Sequence, residues 1–222
     1  MRAVAPDAEG SVERGGIRVH YARYGSGTPT DLLLPTWSLV HSRHWKLQVA
    51  SLARHFTVLT FDGRGSGRSD RPAAPAAYGA TEFAADALAV LDVTKTERTV
   101  LVSVSRGALW ALRLCAEPAL DQAVRRRGGL GAGHRPGDAG RVERRPRWLQ
   151  PLHGRCRGGQ VRCPVLVMHG SDDAVRSHAQ GVALADRTGG ALVTLEGAGH
   201  FPHNRDPVRV NLIRQFIEGI GR

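Results

Sequence analysis

Six short apolar runs alternate along this chain with stretches of helical length, and that alternation restricts the fold more than any other feature. The runs are Ile17–Tyr24, Asp31–Pro35, Phe56–Asp62, Thr99–Val104, Val165–His169 and Ala191–Leu195. Between and after them, Trp45–His55, Thr81–Val93, Arg106–Glu117, Ser177–Asp186 and Asp206–Gly219 carry apolar residues at helical spacing, with Leu88 and Leu91 sharing one face. Strands that read as continuous apolar runs are buried on both faces, as in LLL, TVLTF and VLVMH. The expectation is an α/β class fold, a mostly parallel twisted sheet flanked by helices, with Ile17–Tyr24 as an edge strand because it alternates in and out. In such sheets ligands sit beyond the carboxyl ends of the strands, so chemistry is to be sought in the turns there.

Composition narrows the class. With 41% of its 222 residues hydrophobic, the chain can bury a core. No apolar run approaches the roughly 18 residues of a membrane span, so a soluble protein without membrane partners is expected. The opening MRAVAPDAEG lacks the apolar stretch of a secretory signal, which points to the cytoplasm. The odd set Cys115, Cys156 and Cys163 fits reduced thiols. Cys156 and Cys163 lie near His153 and His169 in sequence, but their gap is wrong for a zinc knuckle, and no metal is expected.

A net charge of +11 would ordinarily raise nucleic acid as a partner. The excess belongs to one segment. Residues 121–163 hold eleven arginines against Asp121, Asp138 and Glu143, leaving only +3 for the rest of the chain. The segment lacks aromatic interleaving and an amphipathic period, which argues against nucleic acid. Its scarcity of Leu, Ile, Val and Phe is the signature of a solvated or disordered insertion. A shifted reading frame in a GC-rich gene is a second origin for it, since arginine outnumbers lysine 29 to 2. The expected organisation is therefore 1–120, an arginine- and glycine-rich segment 121–163, and 164–222.

The strongest local signal is Ser103-Val104-Ser105-Arg106-Gly107, set between the strand TVLVSV and the helix RGALWALRL. Strand, sharp turn and helix form a nucleophile elbow, which needs small residues two before and two after the nucleophile. Gly107 meets that need, and Ser103 stands where glycine is usual. Ser105 would present its hydroxyl above the sheet with a helix N-terminus behind it. A serine needs a base, and the base an orienting acid. Ser171-Asp172-Asp173 follows the strand VLVMHG, and Ala198-Gly199-His200 follows ALVTLEG, giving the chain order Ser, Asp, His. The glycines of GRGSGR lack the spacing of a dinucleotide loop. His41 and His44 lie near the anticipated pocket, with Trp37 and Trp45 as packing groups at its mouth.

Over most of 15–118 and 164–220 these residues resemble the α/β-hydrolase fold superfamily, in its serine hydrolase branch. Asp62-Gly63-Arg64-Gly65-Ser66-Gly67-Arg68-Ser69 is similar to the family's D-x-R-G-x-G-x-S turn, and Gly199-His200 with Pro202 to its histidine loop. The resemblance implies Ser105 as nucleophile, His200 as base and Asp173 as acid, with Asp172 as the alternative. It implies the backbone amides of Trp37 and Arg106 as an oxyanion hole, although Pro35-Thr36 replaces the family's His-Gly. It implies no metal or organic cofactor. An aspartate nucleophile, the mark of the dehalogenase and epoxide-hydrolase branches, is excluded by Ser105. The family's cap region falls in the arginine-rich segment, where an incomplete or irregular cap is expected.

The function so implied is hydrolysis of a small-molecule carboxylic ester, thioester or lactone through an acyl-enzyme. The alternative is a non-catalytic remnant or interaction protein on the same scaffold. The substrate's identity and the oligomeric state are not legible in the sequence.

Overall fold

A computed structural model of the chain describes residues 3–36, 40–116, 161, 163–202 and 207–220. The chain divides into two compact units, Met1–Leu120 and Asp121–Arg222. Apart from 161 and 163, the arginine-rich segment and the expected cap lie outside the described residues.

The first unit is built on five strands, β1 (Ala8–Arg14), β2 (Ile17–Tyr24), β3 (Thr30–Leu33), β4 (Thr57–Phe61) and β5 (Thr99–Val102), in the order β1-β2-β4-β3-β5. The sheet is mixed. β3 runs parallel to both β4 and β5, whereas β2 is antiparallel to β4 and β1. Ile17–Tyr24 is therefore not an edge strand, contrary to its alternating pattern. β1 covers it along its whole length, from Ala8 opposite Arg23 to Arg14 opposite Ile17. AEGSVER escaped notice because only one of its faces is even half-buried, and Val12 is the sole large apolar group on that face.

Three helices follow the apolar periodicity of the sequence: α1 (Lys46–Leu52), entered through a 3-10 turn at Ser42–Trp45, α2 (Ala80–Val93) and α3 (Gly107–Ala116). One core joins Val19, Leu32, Leu34, Leu59 and Phe61 of the sheet region to Ala84, Ala87, Val90 and Leu91 of α2 and Leu114 of α3. Phe83 stacks on Trp110 with ring centroids 4.1 Å apart and planes 2° from parallel, fastening α2 to α3. Trp45 is 1% exposed and donates its Nε1–H to the Leu34 carbonyl at 3.0 Å, so it is a core group rather than a residue at a pocket mouth.

Asp31 on β3 is fully buried, and neither carboxylate oxygen has a hydrogen-bond partner. Burial pushes its carboxyl up from 3.8 to about 8. Between those values the folded chain keeps a proton that the unfolded chain releases, so stability falls as pH rises across that window. The slope is on the order of 1.4 kcal/mol for each step of one in pH. Asp31→Asn, which mimics the neutral acid, is expected to flatten this slope and to raise stability near pH 8 by several kcal/mol. Urea unfolding at pH 5 and pH 8 reads the effect; parallel pH dependence in both proteins would refute it.

The second unit contains β6 (Leu166–Gly170) parallel to β7 (Ala191–Leu195), with α4 (His178–Thr188) between them in sequence and α5 (Pro207–Ile220) after them. Among the described residues, its buried apolar groups are Val167, Ala185, Ala198, Val210 and Ile217. α4 ends at Gly189, whose φ of +64° closes the helix in a left-handed cap. Among the described residues, no helix is long and apolar enough to cross a membrane.

Candidate active site

β5 ends at Val102 and α3 begins at Gly107, so four residues make the whole turn. Backbone bonds from Gly107 to Val104 (3.0 Å), Ala108 to Ser105 (3.1 Å) and Leu109 to Arg106 (3.1 Å) tighten it. Ser105 pays for that tightness with a φ of +54°, and its side chain is exposed. A left-handed non-glycine residue costs roughly 1–2 kcal/mol and persists only where its surroundings impose it.

Those surroundings are visible at Gly107. A Cβ there would stand 2.7 Å from the Pro35 carbonyl oxygen, just past β3, and 3.4 Å from the Cβ of Ser103. The first distance demands glycine. The second is ordinary van der Waals contact, so the side chain of Ser103, standing where the family usually has glycine, does not crowd the turn at position 107. Pro35 and Thr36 are buried beside this turn; Trp37, the expected first oxyanion donor, lies outside the described residues. Arg106, the expected second donor, follows Ser105 in the turn and is exposed.

The loop after β4 is organised by its motif residues. The Asp62 carboxylate accepts from the amides of Ser42 and Arg68, both at 2.9 Å. Burial works against its charge, but these bonds prevail and hold its carboxyl below the usual range. Ser69 donates its hydroxyl to the Asp62 carbonyl at 2.6 Å and accepts from the His20 amide at 2.8 Å. Arg64, 2% exposed, forms a fork with Asp86 of α2: its Nε donates to Oδ2 and its Nη2 to Oδ1, each at 2.7 Å. The motif thus organises the loop at the carboxyl end of β4. His41 caps the 3-10 turn by accepting from the Arg43 amide at 3.2 Å, and burial pushes the His44 imidazole below its usual value.

In the second unit, the loops after β6 and β7 are laced together. Ser171 donates its amide to the Leu195 carbonyl at 3.1 Å, Asp172 donates to the Ala198 carbonyl at 3.0 Å, and Gly197 donates to the Ser171 hydroxyl at 2.9 Å. This lacing brings His200 to Asp173, where Nδ1 donates to Oδ2 at 2.8 Å. The other oxygen, Oδ1, accepts from the amides of Val175 and Arg176, both at 2.8 Å. Burial opposes the charge of Asp173, yet the Arg176 amide, His200 and the Val175 amide together hold its carboxyl below the usual carboxylate range. Of the two neighbouring acids, Asp172 is exposed and accepts from the Ser171 hydroxyl at 2.8 Å. The imidazole is therefore held in one tautomer, with the proton on Nδ1 and the lone pair on Nε2.

Ser105 and Arg106 belong to the first unit and the Asp173–His200 pair to the second. Among the described residues, no three His, Cys, Asp or Glu side chains gather as a metal site would require. Two structurally important side chains escaped the sequence reading. Asp86 gave a signal, an acid set among the apolar residues of α2; His169, which approaches Asp173, gave none, because it sits inside a strand that reads as core.

Residues 32–149 match the family model described as alpha/beta hydrolase fold. The chain belongs to the alpha/beta hydrolase fold family. It is 32% identical over 106 residues to epoxide hydrolase 3 of Siraitia grosvenorii and 36% identical over 110 residues to the putative carbamate hydrolase RutD of Variovorax paradoxus (strain S110). These matches cover 47% and 48% of this chain, and the chain spans only 33% and 39% of the two relatives. Among solved structures, the enol-lactonase of Burkholderia xenovorans LB400 aligns with a TM-score of 0.69 at 21% identity, over 94% of this chain and all of that one. That likeness bears on the fold.

Proposed function

We propose that this protein is a serine hydrolase that cleaves a small carboxylic ester, thioester or lactone through an acyl-enzyme. The observation that carries the reading is Ser105, an exposed serine held at φ +54° in a four-residue strand-to-helix turn. Strain of this kind concentrates where a side chain must be presented rather than packed. In this reading Ser105 attacks the carbonyl, and His200 takes the serine proton on Nε2. Asp173 fixes the ring and stabilises the imidazolium, and the Trp37 and Arg106 amides receive the oxyanion. His200 then gives its proton to the leaving alcohol or thiol, and water releases the acyl group by the same steps in reverse order.

The chemistry of the nucleophile selects among the activities named in the relatives. A serine that opened an epoxide would form an ether, which water does not cleave under these conditions, so the enzyme would stop after one event. With an ester, thioester, lactone or carbamate, the same serine forms an acyl or carbamoyl intermediate that water releases. Serine at position 105 therefore favours acyl transfer. A panel of p-nitrophenyl esters, thioesters and lactones, quenched in acid during turnover and analysed by peptide mass spectrometry, tests the reading. Turnover with the acyl mass on the Ser105 peptide is expected. Folded protein that hydrolyses none of them and carries no adduct would refute it.

A further inference from the structure

His169, the fourth residue of β6, is a histidine that the proposed mechanism does not use. Its side chain is 14% exposed, and its Nε2 lies 2.9 Å from the Arg176 carbonyl oxygen and 3.4 Å from Oδ2 of Asp173. A carbonyl oxygen only accepts, so Nε2 carries the proton and donates it to Arg176. Arg176 is also a residue whose amide donates to Asp173 Oδ1. One peptide segment is thus gripped from both sides, by the Asp173 carboxylate at its N–H and by His169 at its C=O.

The ring's position is fixed independently by α4. Gly181 lies inside that helix, where glycine is disfavoured, and a Cβ there would stand 2.6 Å from His169 Nδ1. The imidazole occupies the space that the missing side chain leaves. His178, the first residue of α4, meets it edge-on at 5.8 Å and is tied to the Thr194 hydroxyl through Nε2 at 2.8 Å. Among the described residues, the ionisable side chains recorded against His169 are Asp173 and His178, and His200 bonds the same Asp173 oxygen.

We propose that His169 is a positioning residue for the Asp173–His200 pair: by holding the Arg176 carbonyl it fixes the 173–176 turn, and by standing beside Oδ2 it limits that carboxylate to the rotation that receives His200. The catalytic consequence rests on the hydrolase reading above, whereas the effect on the pair does not.

Two variants and two readouts test it. His169→Phe keeps a flat ring and removes the donor; His169→Gln keeps an N–H near the place of Nε2. Nitrogen-15 NMR reads which ring nitrogen of His200 carries the proton. In the native protein the neutral ring is expected to be Nδ1-protonated; in folded His169→Phe the signals are expected to move toward the Nε2-protonated form, and His169→Gln to restore them. On an ester that the native protein hydrolyses, His169→Phe is expected to lower kcat on the order of 10–100-fold with KM unchanged. Should the phenylalanine variant fail to fold, Gly181→Ala serves, since its methyl pushes the ring away while favouring the helix; the same shift in His200 is expected. Native tautomer signals in folded His169→Phe or in folded Gly181→Ala would overturn the inference. If the shift occurs but the native protein hydrolyses nothing, the positioning role stands and the hydrolase reading fails.

Discussion

Replacing Ser105 with alanine is expected to abolish ester hydrolysis, by on the order of 10⁶-fold in kcat, with little change in KM. The large figure follows from the division of labour: the nucleophile, base and orienting acid act as a unit, and removing the nucleophile leaves only whatever the oxyanion amides and binding supply. His200→Ala is expected to cost about as much, because a serine at neutral pH is inert without a base. The double variant should be no worse than either single one, and this failure to add is more diagnostic than the size of the loss. Asp173→Asn is expected to be milder, on the order of 10⁴-fold, since it leaves nucleophile and base in place and disturbs the tautomer. Steady-state kinetics on one chosen ester, with far-ultraviolet circular dichroism to establish folding, provides the check. Losses that multiply between Ser105 and His200 would show that the two do not share a mechanism.

The second large effect is on stability. Asp86→Ala is expected to destabilise the protein by about 3–5 kcal/mol, because it removes the buried carboxylate that takes two bonds from a guanidinium 2% exposed. That guanidinium is left only the partly exposed Glu82 at 3.3 Å and the Ala77 carbonyl. Arg64 contributes both of its 2.7 Å bonds to that carboxylate, and Arg14 adds a third from its Nε at 2.9 Å. Arg14 also pairs with Glu82 one turn earlier on α2. Glu82 is 36% exposed, so Glu82→Ala is expected to cost less than about 1 kcal/mol. The contrast between two acids on one helix is the useful quantity. Replacing the buried fork as a whole, with Arg64→Met and Asp86→Leu together, is expected to recover much of the loss, since the desolvation of both charges disappears with them. Denaturant unfolding of the four proteins measures this; equal costs at positions 82 and 86 would contradict the account.

Most of the elements were legible because burial imposes a pattern on sequence. TVLTF and ALVTL are largely apolar runs, and both are strands with a parallel neighbour and with their expected bounds nearly unchanged. β1 was not legible, since a two-residue period in which only Val12 is large and apolar resembles any polar loop. The tight turn between β5 and α3 was legible from Gly107 and its setting between strand and helix, but the reason Ser103 is tolerated was not. That reason is a distance across the turn, which leaves ordinary contact room beside the Ser103 Cβ. Likewise, the residues alone do not separate the neighbouring acids at 172 and 173; only the family resemblance put 173 first. They are separated by the turn that aims one carboxylate at His200 and leaves the other exposed. His169 was visible only as a neighbour of Cys163 in sequence; its place beside Asp173 was hidden, because its partner is a backbone carbonyl seven residues on, and main-chain partners leave no mark on residue identity.

The central claim is that Ser105 is an activated nucleophile, and a fluorophosphonate probe tests it without knowledge of the substrate. The account predicts one covalent adduct, on the peptide that contains Ser105, absent from Ser105→Ala and abolished in folded His200→Ala. Folded native protein that remains unlabelled, or that carries the adduct on another residue, would contradict it.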